Sequence, residues 1–163
     1  DISSLSETLT DLNLSHNKLV TLNLMNFSKL KYFYASDNPD LTTVVFHDGS
    51  TELSLIDMSN CYIMHFYAIN LPNLTQLMLS NNALMEFELG EYPRLSTLGL
   101  SDNYLNEVDI AKYTTLTDFS CANNQLTSLN LSNNTALESL NCSGNQLTSL
   151  DIRVNKNIRY LKW

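Results

Sequence analysis

Apolar residues alternate with polar ones in short segments along the whole chain. Leucines two positions apart mark these segments, as at Leu12/Leu14, Leu77/Leu79 and Leu98/Leu100. A period of two predicts a short β-strand with one face towards the core. A second alternating segment follows each strand after a turn, at Leu22/Leu24, Phe87/Leu89 and Val108/Ile110. Too few residues separate this second segment from the next strand to form a full helix. Both segments of each unit are therefore predicted to be extended, and their stack is predicted to curve only weakly.

These segments belong to a repeat of 21 residues. Leu116-Thr-Asp-Phe-Ser-Cys-Ala-Asn-Asn-Gln-Leu126 returns as Leu137-Glu-Ser-Leu-Asn-Cys-Ser-Gly-Asn-Gln-Leu147. Asparagine, replaced once by cysteine, marks the turn after each strand: Asn17, Asn38, Cys61, Asn82, Asn103, Asn124 and Asn145. Only the interval from Asn38 to Cys61 is longer, by two residues. Because every unit runs through the same turn, successive strands are predicted to be parallel and to form a solenoid.

The repeat covers nearly every residue and predicts a single domain at 1–163, with about seven full units and partial units at both ends. Asp1-Ile2 matches the end of a unit at Asp109-Ile110, and Ile158–Trp163 is a strand without its return segment. We therefore expect the chain to be a piece of a longer protein. A content of 30 Leu and 21 Asn, against 4 Gly and 3 Pro, agrees with many short core segments joined by polar turns.

The charge balance narrows the range of partners. Nine Lys and Arg stand against 17 Asp and Glu, which gives a net charge of −8. Phosphate binding is driven by Lys and Arg, so nucleic acid and anionic membrane surfaces are not expected as partners. No apolar stretch approaches the roughly 18–20 residues of a membrane span, and no membrane insertion is expected. The sequence leaves the oligomeric state open.

Candidate chemistry is sparse. Cys121 and Cys142 occupy equivalent inward positions in adjacent units, which allows either a redox pair or, as we favour, two buried apolar side chains with inert thiols. Cys61 and His65 are predicted to point to opposite sides, which argues against a nucleophilic pair. Metal-ligand spacings, nucleotide-binding loops and a general acid–base pair are all missing from the sequence. The prediction is therefore a protein without catalytic residues, cofactor or metal site.

The outward positions of the predicted strands are the best candidate for binding. In the C-terminal half they are small and polar, whereas in the N-terminal half they place aromatic and apolar side chains together. The predicted ligand-binding residues are Tyr32, Tyr34, Leu55, Asp57, Gln76 and Met78. Large apolar side chains exposed together usually mark a contact surface, and tyrosine is a frequent hot-spot residue. The alternative is that these side chains only pack across strands and stabilise the sheet.

Two other regions are open as specialised surfaces. The irregular unit carries an extended loop at 47–51, and insertions in repeats often collect function, although a tolerant loop also drifts freely. The return side of the same unit presents Tyr62, Met64, His65 and Tyr67. The basic residues near the C-terminus are interpreted as a solvated end of the solenoid: Arg153, Lys156, Arg159 and Lys162.

The pattern L-x-x-L-x-L-x-x-(N/C)-x-L resembles the leucine-rich repeat family over essentially the whole chain. Units of 21 residues with Cys at the third core position look most like internalin-type bacterial surface arrays, and residues 116–158 also look similar to secreted arrays of Bacteroides-type bacteria. The resemblance implies a mainly β, right-handed solenoid with one parallel sheet. It further implies a secreted, cell-surface bacterial protein of the adhesion type. Such a protein binds proteins through the concave strand face, and glycans are the second class of ligand that the resemblance allows. A rigid spacer within a larger surface protein is the alternative.

Overall fold

Parallel strands stacked one per repeat form the body of the protein. The computed structural model describes residues 2–47, 49–68, 70–87 and 90–163. The main sheet has eight short strands, numbered with the two return strands β2 and β4 in chain order: β1 Asp11–Asn13, β3 Tyr32–Tyr34, β5 Leu55–Asp57, β6 Gln76–Met78, β7 Thr97–Gly99, β8 Asp118–Ser120, β9 Ser139–Asn141 and β10 Tyr160–Lys162. Each strand pairs in parallel with the next in this order. The predicted solenoid with one parallel sheet is confirmed.

Helix is nearly absent among the described residues, where a 3-10 turn at Ser3–Leu5 precedes the first strand. The strands are only three residues long because the central residue alone must face inward. Phe33, Ile56 and Leu77 are such central residues, and all three are completely buried. A column of inward leucines, isoleucines and phenylalanines therefore forms one continuous core along the solenoid.

The return side is less regular than the alternation predicts. β2 Thr21–Leu24 and β4 Thr43–Phe46 pair in parallel, as expected. The described parts of the later return segments form no strand, although Phe87, Val108 and Ile110 point inward as predicted. Leu89 lies outside the described residues. The Thr-Val-Val-Phe sequence of β4 is rich in β-branched residues, which favour a ladder, and the later segments lack such a run.

The turn asparagines join neighbouring repeats through their side chains. The Oδ1 atom of Asn103 accepts the backbone N–H of Leu84 at 3.0 Å, and its Nδ2 donates to the carbonyl of Leu79 at 3.0 Å, both in the preceding repeat. Nδ2 also donates to the carbonyl of Leu100 in its own repeat. The same pattern recurs at Asn38, Asn82, Asn124 and Asn145. Buried backbone groups at every turn are satisfied in this way.

Cys61 interrupts this ladder, and the longer turn before it explains why that is tolerated. Leu41 and Leu84 occupy corresponding positions in their turns. In both cases the backbone carbonyl accepts the N–H of the residue that directly follows the ladder residue of the next repeat. With one residue more in its turn, Leu41 donates its N–H to the carbonyl of Asn38 at 2.9 Å and needs no side-chain acceptor. The Cys61 thiol keeps only the donor role, towards the carbonyl of Ala35 at 3.2 Å. The insertion and the cysteine therefore compensate each other.

The residue before each ladder position adopts a left-handed backbone conformation. Its φ lies between 54° and 59° at six non-glycine residues and is 70° at Gly144: His16, Asp37, Asn60, Asn81, Asp102, Asn123 and Gly144. Asn and Asp tolerate this region better than other side chains, which accounts for part of the high asparagine content. Several of these side chains also bond to each other, as Asn81 does to Asn60 at 2.9 Å.

A second polar column links the repeats near the return side. Asn134 donates to the carbonyl of Ile110 at 3.0 Å, and Asn155 donates to that of Leu131 at 3.1 Å. Tyr113 and Tyr92 occupy the same position one and two repeats before Asn134 and have the same role. The Tyr92 hydroxyl donates to the carbonyl of Ala68 at 2.5 Å, and the Tyr113 hydroxyl donates to that of Gly90 at 3.3 Å. Their rings stack at 5.7 Å. These aromatics thus fill the core and also replace an amide as donor.

Candidate functional site

The structure brings together the six residues predicted to bind a ligand. They occupy the outward positions of three adjacent strands, β3, β5 and β6. One row runs Tyr32, Leu55, Gln76 and the other Tyr34, Asp57, Met78. Neighbouring parallel strands lie about 4.8 Å apart, so the six side chains form one continuous surface, here called the strand-face patch.

The six side chains differ in how much of their surface is free. Tyr32 is 40% exposed and Gln76 is also exposed, whereas Tyr34, Leu55, Asp57 and Met78 are half-buried. The half-buried members pack against their cross-strand neighbours. Tyr32 and Gln76 therefore offer most of the free surface, and the other apolar members provide a platform between them.

Asp57 has a structural role that the sequence analysis did not anticipate. Its Oδ1 atom accepts the backbone N–H of Ser59 at 3.0 Å. Asn13 and Asn141, at the same position of other strands, accept an N–H two residues on in the same way. Capping of the strand end accounts for an Asp or Asn at this position. Only Oδ2 of Asp57 is left for a ligand.

A shallow depression borders the patch, centred on Gly99. Met78 lies over this glycine, and a methyl group added to Gly99 would come within 3.1 Å of the Met78 Cε atom. The depression has a volume of about 90 Å³ and is lined mainly by small polar side chains next to Met78: Thr97, Asp118, Ser120, Ser139 and Asn141. A lone glycine in the outward column is the sequence signal for this depression, because it removes a side chain from an otherwise filled row.

The three cysteines are free and buried. Burial raises the pKa of the Cys121, Cys142 and Cys61 thiols. A thiol with a raised pKa is a poor nucleophile, so the structure supports the interpretation of Cys121 and Cys142 as core residues. His65 is exposed, with its Nδ1 atom 3.4 Å from a carboxylate oxygen of Glu86 and its ring stacked on Tyr67, whereas Cys61 is buried.

The described ranges contain neither a group of metal-ligating side chains nor a membrane-spanning helix. In these ranges no three His, Cys, Asp or Glu side chains are grouped so that they could hold a metal ion. None of the helical structure described there is long and apolar enough to cross a membrane. Of the 47–51 loop, Asp48 lies outside the described residues, and Ser50 is buried with its hydroxyl donating to the carbonyl of His47 at 2.9 Å.

Comparison with known proteins identifies the fold and the repeat. The model of the Leucine Rich Repeat family matches residues 8–30 and 136–157. The functional domain of InlJ from Listeria monocytogenes, which includes a cysteine ladder, is similar over 97% of this chain and 39% of its own, at 26% identity and a TM-score of 0.76. YopM from Yersinia enterocolitica matches over 94% of this chain and 32% of its own, at 30% identity and a TM-score of 0.82.

A leucine-rich-repeat protein of Leptospira interrogans shares the fold at a TM-score of 0.79 and 22% identity, over 98% of this chain and 44% of its own. No curated protein sequence matches this chain significantly. The family model matches two separate parts of this chain, and the whole solenoid is similar in fold to bacterial leucine-rich-repeat proteins. This chain spans about two fifths of the length of the solved structures that it matches. Domains of this fold generally mediate protein–protein interaction and are typically non-catalytic.

Proposed function

We propose that this chain is a non-catalytic recognition module that binds a protein partner through the strand-face patch. One observation carries the proposal. The outward positions of β3, β5 and β6 hold Tyr32, Tyr34, Leu55 and Met78, whereas β8 and β9 hold Asp, Ser and Asn at the same positions of the same sheet. The fold accepts small polar residues there, so backbone pairing does not require the apolar ones.

The composition of the patch suits a protein surface. Tyrosine combines apolar area with a hydroxyl group and loses little conformational entropy on binding, and methionine adapts to irregular surfaces. Gln76 and the free Oδ2 atom of Asp57 add polar groups at one side. Tyr34 lies next to Asp57 across β3 and β5, and an aromatic ring beside a carboxylate also suits a sugar, which makes a glycan the second kind of ligand to test.

We further propose that the protein works outside the cell, on a bacterial surface. The likeness to the InlJ functional domain, with its cysteine ladder, supports this placement. Buried thiols such as Cys121 and Cys142 are compatible with either side of a membrane and add no weight.

A rigid spacer is the alternative function. Its support is the C-terminal half of the strand face, where Ser120, Ser139 and Asn141 resemble an ordinary solvated sheet. The two functions differ in what they require at the N-terminal half. A spacer tolerates polar residues in place of Tyr32, Tyr34 and Met78, and a recognition module does not.

The test is capture of partners from host-cell and bacterial surface extracts by the wild type and by a patch variant, Tyr32→Ser/Tyr34→Asn/Met78→Ser. Each new residue already stands in the same column of this protein, at Ser139, Asn141 and Ser120, so the variant is expected to fold. Tyr160→Ser is the matched control, because Tyr160 lies in the same column as Tyr32 and is 55% exposed.

A protein retained by the wild type and by the control, but lost by the patch variant, supports the proposal. Loss that is reproduced by enzymatic removal of glycans from the extract assigns the ligand to the glycan class. Equal retention by all three proteins contradicts the strand-face patch as the site. Absence of any specific partner favours the spacer.

A further inference from the structure

Four exposed apolar side chains of the middle repeats lie on the return side, away from the strand-face patch. Tyr62, Met64, Met85 and Tyr104 are 54%, 42%, 63% and 55% exposed. Tyr62 and Tyr104 directly follow Cys61 and Asn103, and Met64 and Met85 come three residues after Cys61 and Asn82. The four side chains therefore occupy two neighbouring columns in three successive repeats. We call these four side chains the return-side patch.

The C-terminal repeats serve as an internal control for this surface. Where the middle repeats carry Tyr62 and Tyr104, the later ones carry Gln125 and Gln146, and Thr127 replaces methionine. The backbone bonds around these positions are alike, since Tyr104 donates its N–H to Leu84 as Gln125 does to Leu105. The solenoid is therefore built equally well with polar side chains here, and the exposed Tyr and Met have no structural reason.

Acidic side chains border the return-side patch. A groove of about 790 Å³ adjoins Met85, and its charged lining is Glu86, Glu107 and Asp109, with no Lys or Arg among the lining residues that the structure describes. Glu86 pairs with His65, and Glu107 forms no ion pair within the described part of the chain. With a net charge of −8 on the whole chain, this surface attracts cations.

We propose that the return-side patch and its acidic border bind a cationic amphipathic segment of a partner protein. Apolar side chains of that segment pack on Tyr62, Met64, Met85 and Tyr104, and its Lys or Arg residues face Glu86 and Glu107. Exposed methionine and tyrosine supply an adaptable apolar surface, and the carboxylates supply attraction over distance and set the orientation.

Charge distinguishes this partner from two other occupants. An anionic membrane would be repelled by Glu86, Glu107 and Asp109, although its interior suits exposed Tyr and Met. A second copy of this chain in a two-fold arrangement would bring the same carboxylates against each other. A partner with positive charge flanking apolar residues meets neither cost.

The five methionines provide a test, because they report on different parts of the molecule. Met64 and Met85 lie in the return-side patch, Met78 in the strand-face patch, Met58 in the core, and Met25 is exposed on a distant repeat. The protein carrying ¹³C-methyl methionine is titrated with a short peptide in which Lys and Arg flank Leu and Trp. We expect the Met64 and Met85 signals to shift while those of Met78, Met58 and Met25 stay in place.

Two variants remove the surface without disturbing the fold. Met85→Thr/Tyr104→Gln introduces residues that the same columns carry at Thr127 and Gln125, and Glu86→Gln/Glu107→Gln removes two charges. Each is expected to weaken peptide binding by about tenfold. The control Glu7→Gln/Asp40→Asn removes the same charge from exposed positions elsewhere and is expected to bind as the wild type does.

Several outcomes would overturn the proposal. They are shifts of Met78 before Met64 and Met85, equal shifts of all exposed methionines, no binding of the peptide, and equal affinity for a peptide with Glu in place of Lys and Arg. Binding of anionic phosphatidylglycerol vesicles that depends on Tyr104 would assign the surface to a membrane instead. Because the strand-face variant leaves the return-side patch intact, failure of one proposal does not imply failure of the other.

Discussion

The two halves of the solenoid share one backbone and differ in the surfaces that it carries. Between β3 and β6 the strand face holds Tyr32, Tyr34, Leu55 and Met78, and between β8 and β9 it holds serine, asparagine and aspartate. The parallel register is the same in both halves. The comparison teaches that, apart from strand-capping residues such as Asp57 and Asn141, the outward positions accept polar or apolar side chains. The Tyr, Leu and Met found there can therefore be attributed to binding or to cross-strand packing.

The turns differ in a complementary way. In the regular repeats an asparagine such as Asn103 accepts an N–H from the preceding repeat, and in the irregular one the inserted residue lets Leu41 satisfy its own N–H within the turn. Both solutions leave no buried N–H unpaired at this point. The fold therefore requires that the hydrogen bond be made, and either the side chain or the loop length can provide it.

The largest expected effect separates the two kinds of turn. Asn103→Ala leaves the buried N–H of Leu84 and the carbonyl of Leu79 without these partners and is expected to lower the free energy of unfolding by about 3 kcal/mol. Cys61→Ala loses one weak thiol bond and a little packing, and should cost less than about 1 kcal/mol. Urea unfolding followed by circular dichroism measures both, and equal losses would contradict the compensation at Cys61.

Alkaline pH is expected to destabilise the protein through its core. Burial raises the pKa of the Cys121 thiol from an ordinary value of 9.0, so the unfolded chain releases this proton above pH 9 while the folded chain keeps it. Stability is complete below that pH and then falls, by about 1.4 kcal/mol per pH unit for this group. The melting temperature measured from pH 7 to 11 should decline from about pH 9.

The alanine variant Cys61→Ala/Cys121→Ala/Cys142→Ala is the control for the alkaline decline. Burial also raises the pKa of Tyr92 and Tyr113 from 10.0, so the variant should remain stable up to about one pH unit higher and then decline because of these tyrosines. A decline that begins at the same pH in both proteins would exclude the cysteines as its cause.

A smaller effect tests whether tyrosine acts as a donor in the second polar column. Tyr92→Phe keeps the ring but removes the hydroxyl, which is the only donor to the carbonyl of Ala68 among the described residues. The free energy of unfolding is expected to fall by about 1.5 kcal/mol. Tyr104→Phe, at an exposed position, is the matched control and should have no effect. Equal stability of both variants would show that the Tyr92 ring alone matters.

The link between loop length and Cys61 can be tested by restoring the regular repeat in two steps. Cys61→Asn alone is expected to destabilise by about 1 kcal/mol, because Leu41 already donates within its turn and the new Oδ1 would be buried without a donor. Deletion of Asp40 in the same variant shortens the turn, so that the N–H of Leu41 becomes free to bond to the newly introduced asparagine side chain. Recovery of stability in the combined variant is the expected result, and a further loss would contradict the compensation.

The smallest expected effect concerns the strand-face patch. If Tyr32 is free for binding, Tyr32→Ser changes the melting temperature no more than Tyr160→Ser does, within about 0.5 kcal/mol of unfolding free energy. A loss above about 1 kcal/mol for Tyr32→Ser alone would favour the cross-strand packing explanation. Both variants are compared at the same pH and salt concentration.

The repeat of 21 residues was sufficient to predict the solenoid, the parallel register and the inward residues, because a short period repeated through one kind of turn allows few other arrangements. The adjacency of Tyr32, Leu55 and Gln76 followed from the same register. The exposure of each outward side chain did not, since it depends on the size of the side chain opposite it on the adjacent strand. Met78 is half-buried because Gly99 leaves space beneath it.

Sequence alone therefore predicted the repeating solenoid, the sheet and the positions that face solvent, since all three depend on periodicity. Only the folded structure shows that Asp57 caps its strand and that the N–H of Leu41 bonds within its own turn, so that no asparagine is needed at position 61. It also shows that Tyr92 and Asn134 donate to equivalent carbonyls. It also revealed the acidic groove that adjoins the exposed Met85. The Asp57 and Leu41 bonds depend on the backbone conformation of their turns, and the bonds of Tyr92 and Asn134 join residues 24 positions apart that meet only after the repeats have stacked.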